Sequence, residues 1–205
     1  MKLLFLNLLA LSFLMSCHHK NSISKGQSKS TLNKDSTIQS PNNDSTEIVK
    51  LLKEVYKWHD QDRSNLIDFD IIVKDSFQTG LNFKSFNNKF DALKKTNFFS
   101  QSFLDNYKKI GMYINNKLTN ANPKYLNEIN FAFQDADPWT GFQDDAPNFW
   151  NDFIIVDFKS SFDSASLKWS IKDWTSEKHP VKFSKENSKW KVSYIEGFDM
   201  DEYYK

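Results

Sequence analysis

From residue 48 onward the apolar positions keep a strict helical beat. Ile48, Leu51, Leu52, Val55, Tyr56 and His59 fall on one face, and Lys50, Lys53 and Lys57 fall on the other. That spacing predicts an amphipathic helix. Asp44 is the expected N-cap, with Glu47 at the capping-box position. Trp58 sits beside the stripe and covers its edge, and His59 reads as a helix-end residue next to the core. Phe83, Phe86, Phe90 and Leu93 repeat the beat and predict a second helix to about Lys95. Ser100 can cap a third, whose buried face is Phe103, Leu104, Tyr107, Ile110, Ile114 and Leu118, and Asn120-Ala121-Asn122-Pro123 ends it. Between the first two helices, Leu66, Ile67, Phe69, Ile71, Ile72 and Val73 fit either a short strand or an apolar loop. Gly80 is expected to break the chain there.

The last third changes period. Ile154, Val156 and Phe158 alternate with Asp157 and Lys159; Leu167, Trp169 and Ile171 with Lys168, Ser170 and Lys172. Val181 and Phe183 alternate with Lys182 and Ser184, and Trp190, Val192 and Tyr194 with Lys191 and Ser193. Period two with one wet face predicts half-buried antiparallel strands. Ser161–Ser164, with Asp163, forms one hairpin turn, and Lys185-Glu186-Asn187-Ser188 forms another. Helices followed by a meander predict an α+β domain, with N-terminal helices packed on a C-terminal four-stranded antiparallel sheet.

Residues 124–151 keep no period. They hold Pro138, Gly141, Pro147 and several Asn, with Phe131, Phe133, Trp139, Phe142, Phe149 and Trp150 among them. Loops of this length are uncommon unless functional or disordered, and the aromatic content argues against disorder.

The N-terminus is of a different kind. Lys2 precedes Leu3-Leu4-Phe5-Leu6, Leu8-Leu9-Ala10-Leu11 and Phe13-Leu14-Met15, and Ser16 then leads to Cys17, the one cysteine of the chain. A charged start, an apolar run and a small residue describe a secretory signal peptide. The run is too short for a membrane span, which needs about 20 apolar residues. Leu14-Met15-Ser16-Cys17 resembles the bacterial lipoprotein box, and the resemblance implies that Cys17 becomes the lipidated N-terminus. Residues 18–43 are rich in Ser, Asn and Lys, with only Ile23, Leu32 and Ile38 as branched or long apolar residues. Such a stretch buries too little to offset its chain entropy and reads as a tether. His18-His19 within it are read as solvated rather than as metal ligands. The expected organisation is a signal peptide over 1–16, lipidated Cys17 with its tether over 17–43, and one domain over 44–205.

Charge narrows the function classes. The chain has 27 basic and 26 acidic residues; removing Lys2 with the signal peptide leaves 26 of each. A neutral chain with a single arginine, Arg63, offers no electrostatic case for nucleic acid. With no second cysteine there is no intramolecular disulfide.

The order of helices and strands, the Val55-Tyr56-Lys57-Trp58 turn, Phe103-Leu104 with Tyr107, and Asp135-x-Asp137-Pro138-Trp139 followed by Gln143-Asp144 carry a further resemblance. Over roughly residues 46–200 they are similar to a family of small bacterial lipoproteins of unknown function. That family implies a fold like nuclear transport factor two or cystatin. It carries no established activity. The same element order resembles periplasmic immunity proteins that block secreted toxins.

The acidic loop is the candidate site. Asp135, Asp137, Asp144 and Asp145 crowd around Trp139, Phe142 and Gln143. Clustered carboxylates can bind Ca2+, but counting from Asp135 puts Thr140 where an EF-hand needs Gly and Ala146 where it needs Glu. A second reading is a ligand or partner contact through Asp135, Asp137, Trp139, Gln143 and Asp144. The favoured one is structural, with Asp and Gln holding an irregular loop on the sheet through backbone hydrogen bonds, above all a buried Gln143-Asp144 pair. His179, before Pro180, reads as a surface turn residue. Trp139, Trp150 and Trp174 stand off the core periods and could form a glycan platform.

No nucleophile elbow, His-Glu-x-x-His or phosphate loop is present, so no catalytic residue, resident metal or cofactor is expected and the chain reads as a non-enzyme. The functional expectation is a lipid-anchored cell-envelope lipoprotein, attached to the cell membrane or outer membrane through Cys17 with its domain in the periplasm. It would act as a binding or scaffold module, with an envelope protein as a further partner. The alternative is an inhibitor or immunity-type protein against a toxin or envelope enzyme, and a small hydrolase comes third.

Overall fold

Three helices come first in the computed structural model, and a four-stranded antiparallel meander follows them. The structure describes residues 41–62, 68–126, 136–143, 148–172 and 176–203. Residues 1–40, with Cys17 and most of the expected tether, and Asp135, Asp144, Asp145 and Trp174 lie outside the described residues, whereas residues 41–43 of the expected tether belong to the first helix.

Helix α1 spans Pro41–Asp62. It begins before the expected cap, with Pro41 at a position where a missing N–H costs nothing. Asp44 therefore sits within the first turn and is not the N-cap. Its side chain accepts from Trp190 Nε1 at 3.1 Å and from Lys185 Nζ at 3.3 Å, both on the sheet. The expected stripe holds: Ile48, Leu52, Val55, Tyr56 and His59 are buried.

The ambiguous segment is a hairpin of β1 (Ile71–Lys74) and β2 (Phe77–Leu81), turned by Asp75 and Ser76, both at positive φ. Gly80 does not break it. Gly80 lies within β2, where a Cβ would stand 3.1 Å from Asn115 Oδ1 of the third helix. Helix α2 (Phe83–Thr96) is capped by Asn82, and α3 (Gln101–Thr119) by Ser100, whose Oγ accepts from Phe103 N at 3.1 Å. Gly111 brings the two helices close, since a Cβ there would meet the Phe86 ring at 2.5 Å.

The sheet is β3 (Phe153–Ser160), β4 (Ser164–Ile171), β5 (His179–Glu186) and β6 (Lys189–Ile195), in that spatial order. Leu167, Trp169, Val181, Phe183, Val192 and Ile195 are buried inward, and α1 and α3 both contact β6. Two bulges change the expected alternation. In β3 the pairing passes from Ile155–Trp169 to Asp157–Lys168, so Val156 is the extra residue and is exposed. Phe153, Ile155 and Phe158 pack on the core in place of the expected Ile154, Val156 and Phe158. In β6 the pairing passes from Val192–Phe183 to Tyr194–Lys182, skipping Ser193. Tyr194 consequently pairs with Lys182, whose ammonium lies 4.6 Å from its ring, and Ile195 takes the buried place. The β5–β6 turn is narrower than expected: Asn187 and Ser188 alone, at φ 50° and 63°, supply the positive-φ pair of a type I′ hairpin.

The edge of β6 is covered. Ser100 N donates to Val192 O, and Val192 N to Phe98 O, each at 2.9 Å. A 3-10 turn (Phe149–Asp152) leads into β3, and a second (Glu196–Phe198) leaves β6 for a last helical turn, α4 (Met200–Tyr203).

Candidate functional site

Residues 136–143 form a closed turn seated on the core. Asp137 closes it with backbone bonds in both directions: its N–H donates to Phe142 O at 2.9 Å, and its carbonyl accepts from Gly141 N at 2.7 Å and Thr140 N at 3.2 Å. The Asp137 carboxylate is also committed. Oδ1 accepts from Trp139 N at 2.9 Å, the short Asx bond that favours Asp before a turn. Oδ2 lies 2.7 Å from His59 Nε2 on α1. Gly141, at φ +74°, supplies the left-handed residue the turn requires.

Trp139 is the plug of this turn. It is 1% exposed, lies stacked on His59 at 4.9 Å, and meets Phe198, Phe99 and Trp58 edge-on at 4.8–5.8 Å. Its indole N–H donates to Asp68 Oδ2 at 2.8 Å. Asp68 Oδ1 also accepts from Tyr107 O–H at 2.9 Å and faces Lys89 Nζ at 3.8 Å. Lys89 has no exposed surface; its ammonium lies 5.1 Å from the Trp58 ring and 5.6 Å from the Trp139 ring. Carboxylate and indole faces together replace the water that a buried ammonium would lose.

The backbone of the turn is held from outside as well. A Cβ on Gly197 would stand 1.7 Å from the Pro138 carbonyl oxygen, so the Glu196–Phe198 turn can press against Pro138 only with glycine there. Beside this contact lies a small cavity of about 70 Å³, lined by Tyr56, Thr140, Gly141, His179, Glu196 and Gly197 among others. His179 is half-buried and not a surface turn residue. It lies 4.5 Å from Trp169 and 5.6 Å from Phe142, and burial lowers its pKa from the ordinary 6.5 against a weaker opposing pull from Glu177. Tyr56, fully buried, accepts from Trp169 Nε1 through its hydroxyl oxygen at 3.1 Å, and desolvation drives its pKa upward.

Of the candidate residues, Asp137 and Trp139 come together in this turn, and both hold it shut. Gln143 is exposed, away from the buried place expected for it. Trp150, like Trp139, is buried, so neither offers the open face a stacked sugar needs. Among the described residues no group of three or more His, Cys, Asp or Glu side chains could hold a metal ion.

The sequence reading placed His59 next to the core but gave it no partner, and it missed Asp68 and Lys89. A signal existed for two of them: His59 follows Leu52, Val55 and Tyr56 on the apolar face, and Lys89 lies between Phe86 and Leu93 on another. A polar residue within such a stripe is buried and needs a partner. A histidine oriented by a carboxylate is the arrangement of a general base. His59 is 3% exposed, however, and its Nδ1 is buried without a hydrogen-bond partner among the described residues. The pair thus locks α1 to the turn and presents no nitrogen to solvent.

No family model matches the chain, and neither does any curated protein or solved structure.

Proposed function

We propose that the chain is a lipid-anchored bacterial envelope lipoprotein whose domain is a binding or scaffold module. The observation that carries this reading is the apolar run ending in Leu14-Met15-Ser16-Cys17, placed before a polar stretch and a compact unit over Gln39–Lys205. Two acyl chains on Cys17 would hold the protein stably, whereas one would bind reversibly. The helices-then-sheet order supports a kinship with the folds of nuclear transport factor two and cystatin, and with the small lipoproteins that share the Asp-Pro-Trp pattern at 137–139.

A binding role draws support from what the turn does with its carboxylate. Asp137 spends both oxygens on internal donors, so the turn contributes rigidity. The open surface lies elsewhere. A shallow groove of about 430 Å³ runs between α1 and the 3-10 turn before β3, with Lys50, Lys53, Lys57, Trp150 and Asn151 on its walls. Glu54 shares that wall and pairs with Lys50 at 3.9 Å, which leaves Lys53 and Lys57 as the excess positive charge that suits an acidic partner surface.

Cys17→Ser tests the anchor: the variant is expected to remain an unprocessed precursor that takes up no labelled palmitate. A variant that matures and partitions into detergent like the parent would refute the reading. Crosslinking in native membranes tests the module. Lys53→Glu with Lys57→Glu is expected to lose the partner that the parent captures. A single tight complex with a secreted toxin or an envelope enzyme would turn the reading toward an inhibitor.

A further inference from the structure

One end of the sheet carries an aromatic side chain with almost no protein around it. Phe162, in the β3–β4 turn, is 91% exposed, while no other large apolar residue among those described exceeds 48%. The turn itself is firmly built: Ser161 N donates to Ser164 O at 2.7 Å, and Ser161 Oγ lies 2.6 Å from Ser164 Oγ. A rigid turn that projects a phenylalanine keeps apolar area in water, at a cost that burial in a partner would remove.

The same end is where the chain enters the domain. Lys185 joins the two features: its N–H donates to Asp163 O at 2.8 Å, beside Phe162, and its Nζ bonds Asp44 in the first turn of α1. The β5–β6 turn lies at this end too, since Ser164 pairs with Ser184. Charges around the tip are balanced: Lys159, Lys182, Lys185 and Lys189 stand against Asp44, Asp157, Asp163 and Glu186, with Lys159 paired to Asp157 at 3.8 Å. The contact is therefore led by the aromatic ring, not by net charge.

We infer that this end of the domain faces the lipid bilayer and that Phe162 sits in its interface, which makes the β3–β4 turn a second, reversible membrane contact. The inference rests on lipidation of Cys17. Residues 18–40 then separate the acyl chains from Pro41, a connection that reaches at most about 80 Å when fully extended. A contact too weak to bring a dissolved protein to a membrane becomes populated when a short connection fixes its effective concentration in the millimolar range. An aromatic ring on a polar, lysine-flanked turn is matched to the headgroup boundary.

The test uses the full lipidated chain in vesicles of phosphatidylethanolamine and phosphatidylglycerol. Once Cys17 is a thioether, Asp163→Cys, next to Phe162 in the same exposed turn, supplies the single reactive thiol while leaving the ring in place, and it can carry a spin label. Glu177→Cys, in the β4–β5 connection at the opposite end of the sheet, is the control. The label at 163 is expected to show a severalfold higher ratio of collisions with dissolved oxygen to collisions with a water-soluble nickel chelate than the label at 177. Equal, water-like ratios at both positions would overturn the inference. So would a tip that stays in water in bare vesicles and becomes shielded only in native membranes, which would assign Phe162 to a protein partner. Two labels per chain would mean that Cys17 is not lipidated and would remove the anchor and this inference together. A single label that remains in water removes the inference alone.

Discussion

Asp68 and Asp44 head two sites of the same composition. Each accepts an indole N–H, Asp68 from Trp139 at 2.8 Å and Asp44 from Trp190 at 3.1 Å. Each faces a lysine, Lys89 at 3.8 Å and Lys185 at 3.3 Å. Each lysine also lies over a tryptophan, Lys89 near Trp139 at 5.6 Å and Lys185 over Trp190 at 4.8 Å. They differ in water. Lys89 is wholly enclosed, whereas the Lys185 side chain keeps 16% of its surface exposed at the rim of the sheet. The direct lysine–aspartate contact is the shorter one at the rim, yet the inner site should matter more to stability. An enclosed charge that loses its partner has no solvent to turn to, while a rim lysine does. Contact length alone therefore ranks the two sites in the wrong order.

Asp68→Ala is the strongest way to break the comparison. It removes the acceptor of the Trp139 indole N–H, leaves Tyr107 O–H only the residue-68 carbonyl at 3.1 Å, and takes the carboxylate from beside Lys89. A loss of about 3–5 kcal/mol is expected from denaturant unfolding. Lys89→Met sharpens the point. It removes the buried charge, fills much of the same volume and leaves Asp68 its two neutral donors, so it should cost clearly less than Asp68→Ala. If the lysine variant proved the more damaging, cation–aromatic contact and not charge compensation would govern the inner site.

The next effect concerns the turn above that site. Asp137→Ala removes the acceptor of His59 and of Trp139 N–H together, with an expected cost of about 1–3 kcal/mol. Asp137→Asn keeps a carbonyl oxygen for one of them and should cost less. Equal melting of parent and Asp137→Ala would show that the turn is held by Gly197 and the backbone bonds alone.

How far these sites could be read from the chain follows from their geometry. Period and capping chemistry act over a few residues, so Ser100 as a cap, the stripe from Phe103 to Leu118 and the β5–β6 hairpin were all legible. The bulges were not. Val156 and Ser193 each insert one residue, and the alternation beyond them shifts to the other face, which is how Ile195 came to be buried in place of Tyr194. Asp44 shows the opposite failure. Its local pattern fits a helix cap, but Trp190 and Lys185, far along the chain, claim its carboxylate. Trp139 stands in a segment without period because its place is set by a closed turn rather than by a repeat. Of the five candidate contact residues, only Asp137, Trp139 and Gln143 are among the described residues, and no local signal separates the two that face inward from the one that faces water.

Asp44→Ala tests the rim. Lys185 can turn to water, whereas the buried Trp190 indole N–H loses its acceptor, so the expected loss is about 1–2 kcal/mol, below that of Asp68→Ala, and added salt should shrink the lysine part of it. A loss equal to that of Asp68→Ala would abolish the distinction between rim and interior.

The smallest expected effect is a dependence on pH through His179, which lies at the start of β5 beside the closed turn, at the far end of that strand from Lys185. Burial against Trp169 and Phe142 lowers its pKa below 6.5. The unfolded chain takes up a proton at this histidine from about pH 6.5 downward, while the folded domain resists it. The unfolded state then binds more protons, so stability must fall as pH drops through that window and must level off above it. Glu177 opposes the trend without reversing it, because desolvation is the larger influence. His179→Gln removes the group, and its melting temperature should change less between pH 7.5 and pH 5.5, about one unit to either side of the imidazole value, than that of the parent. Every other titratable group is shared by both proteins, so the difference between the two curves isolates the imidazole. Parallel curves for parent and variant would show that the cavity beside His179 admits enough water to solvate the imidazolium.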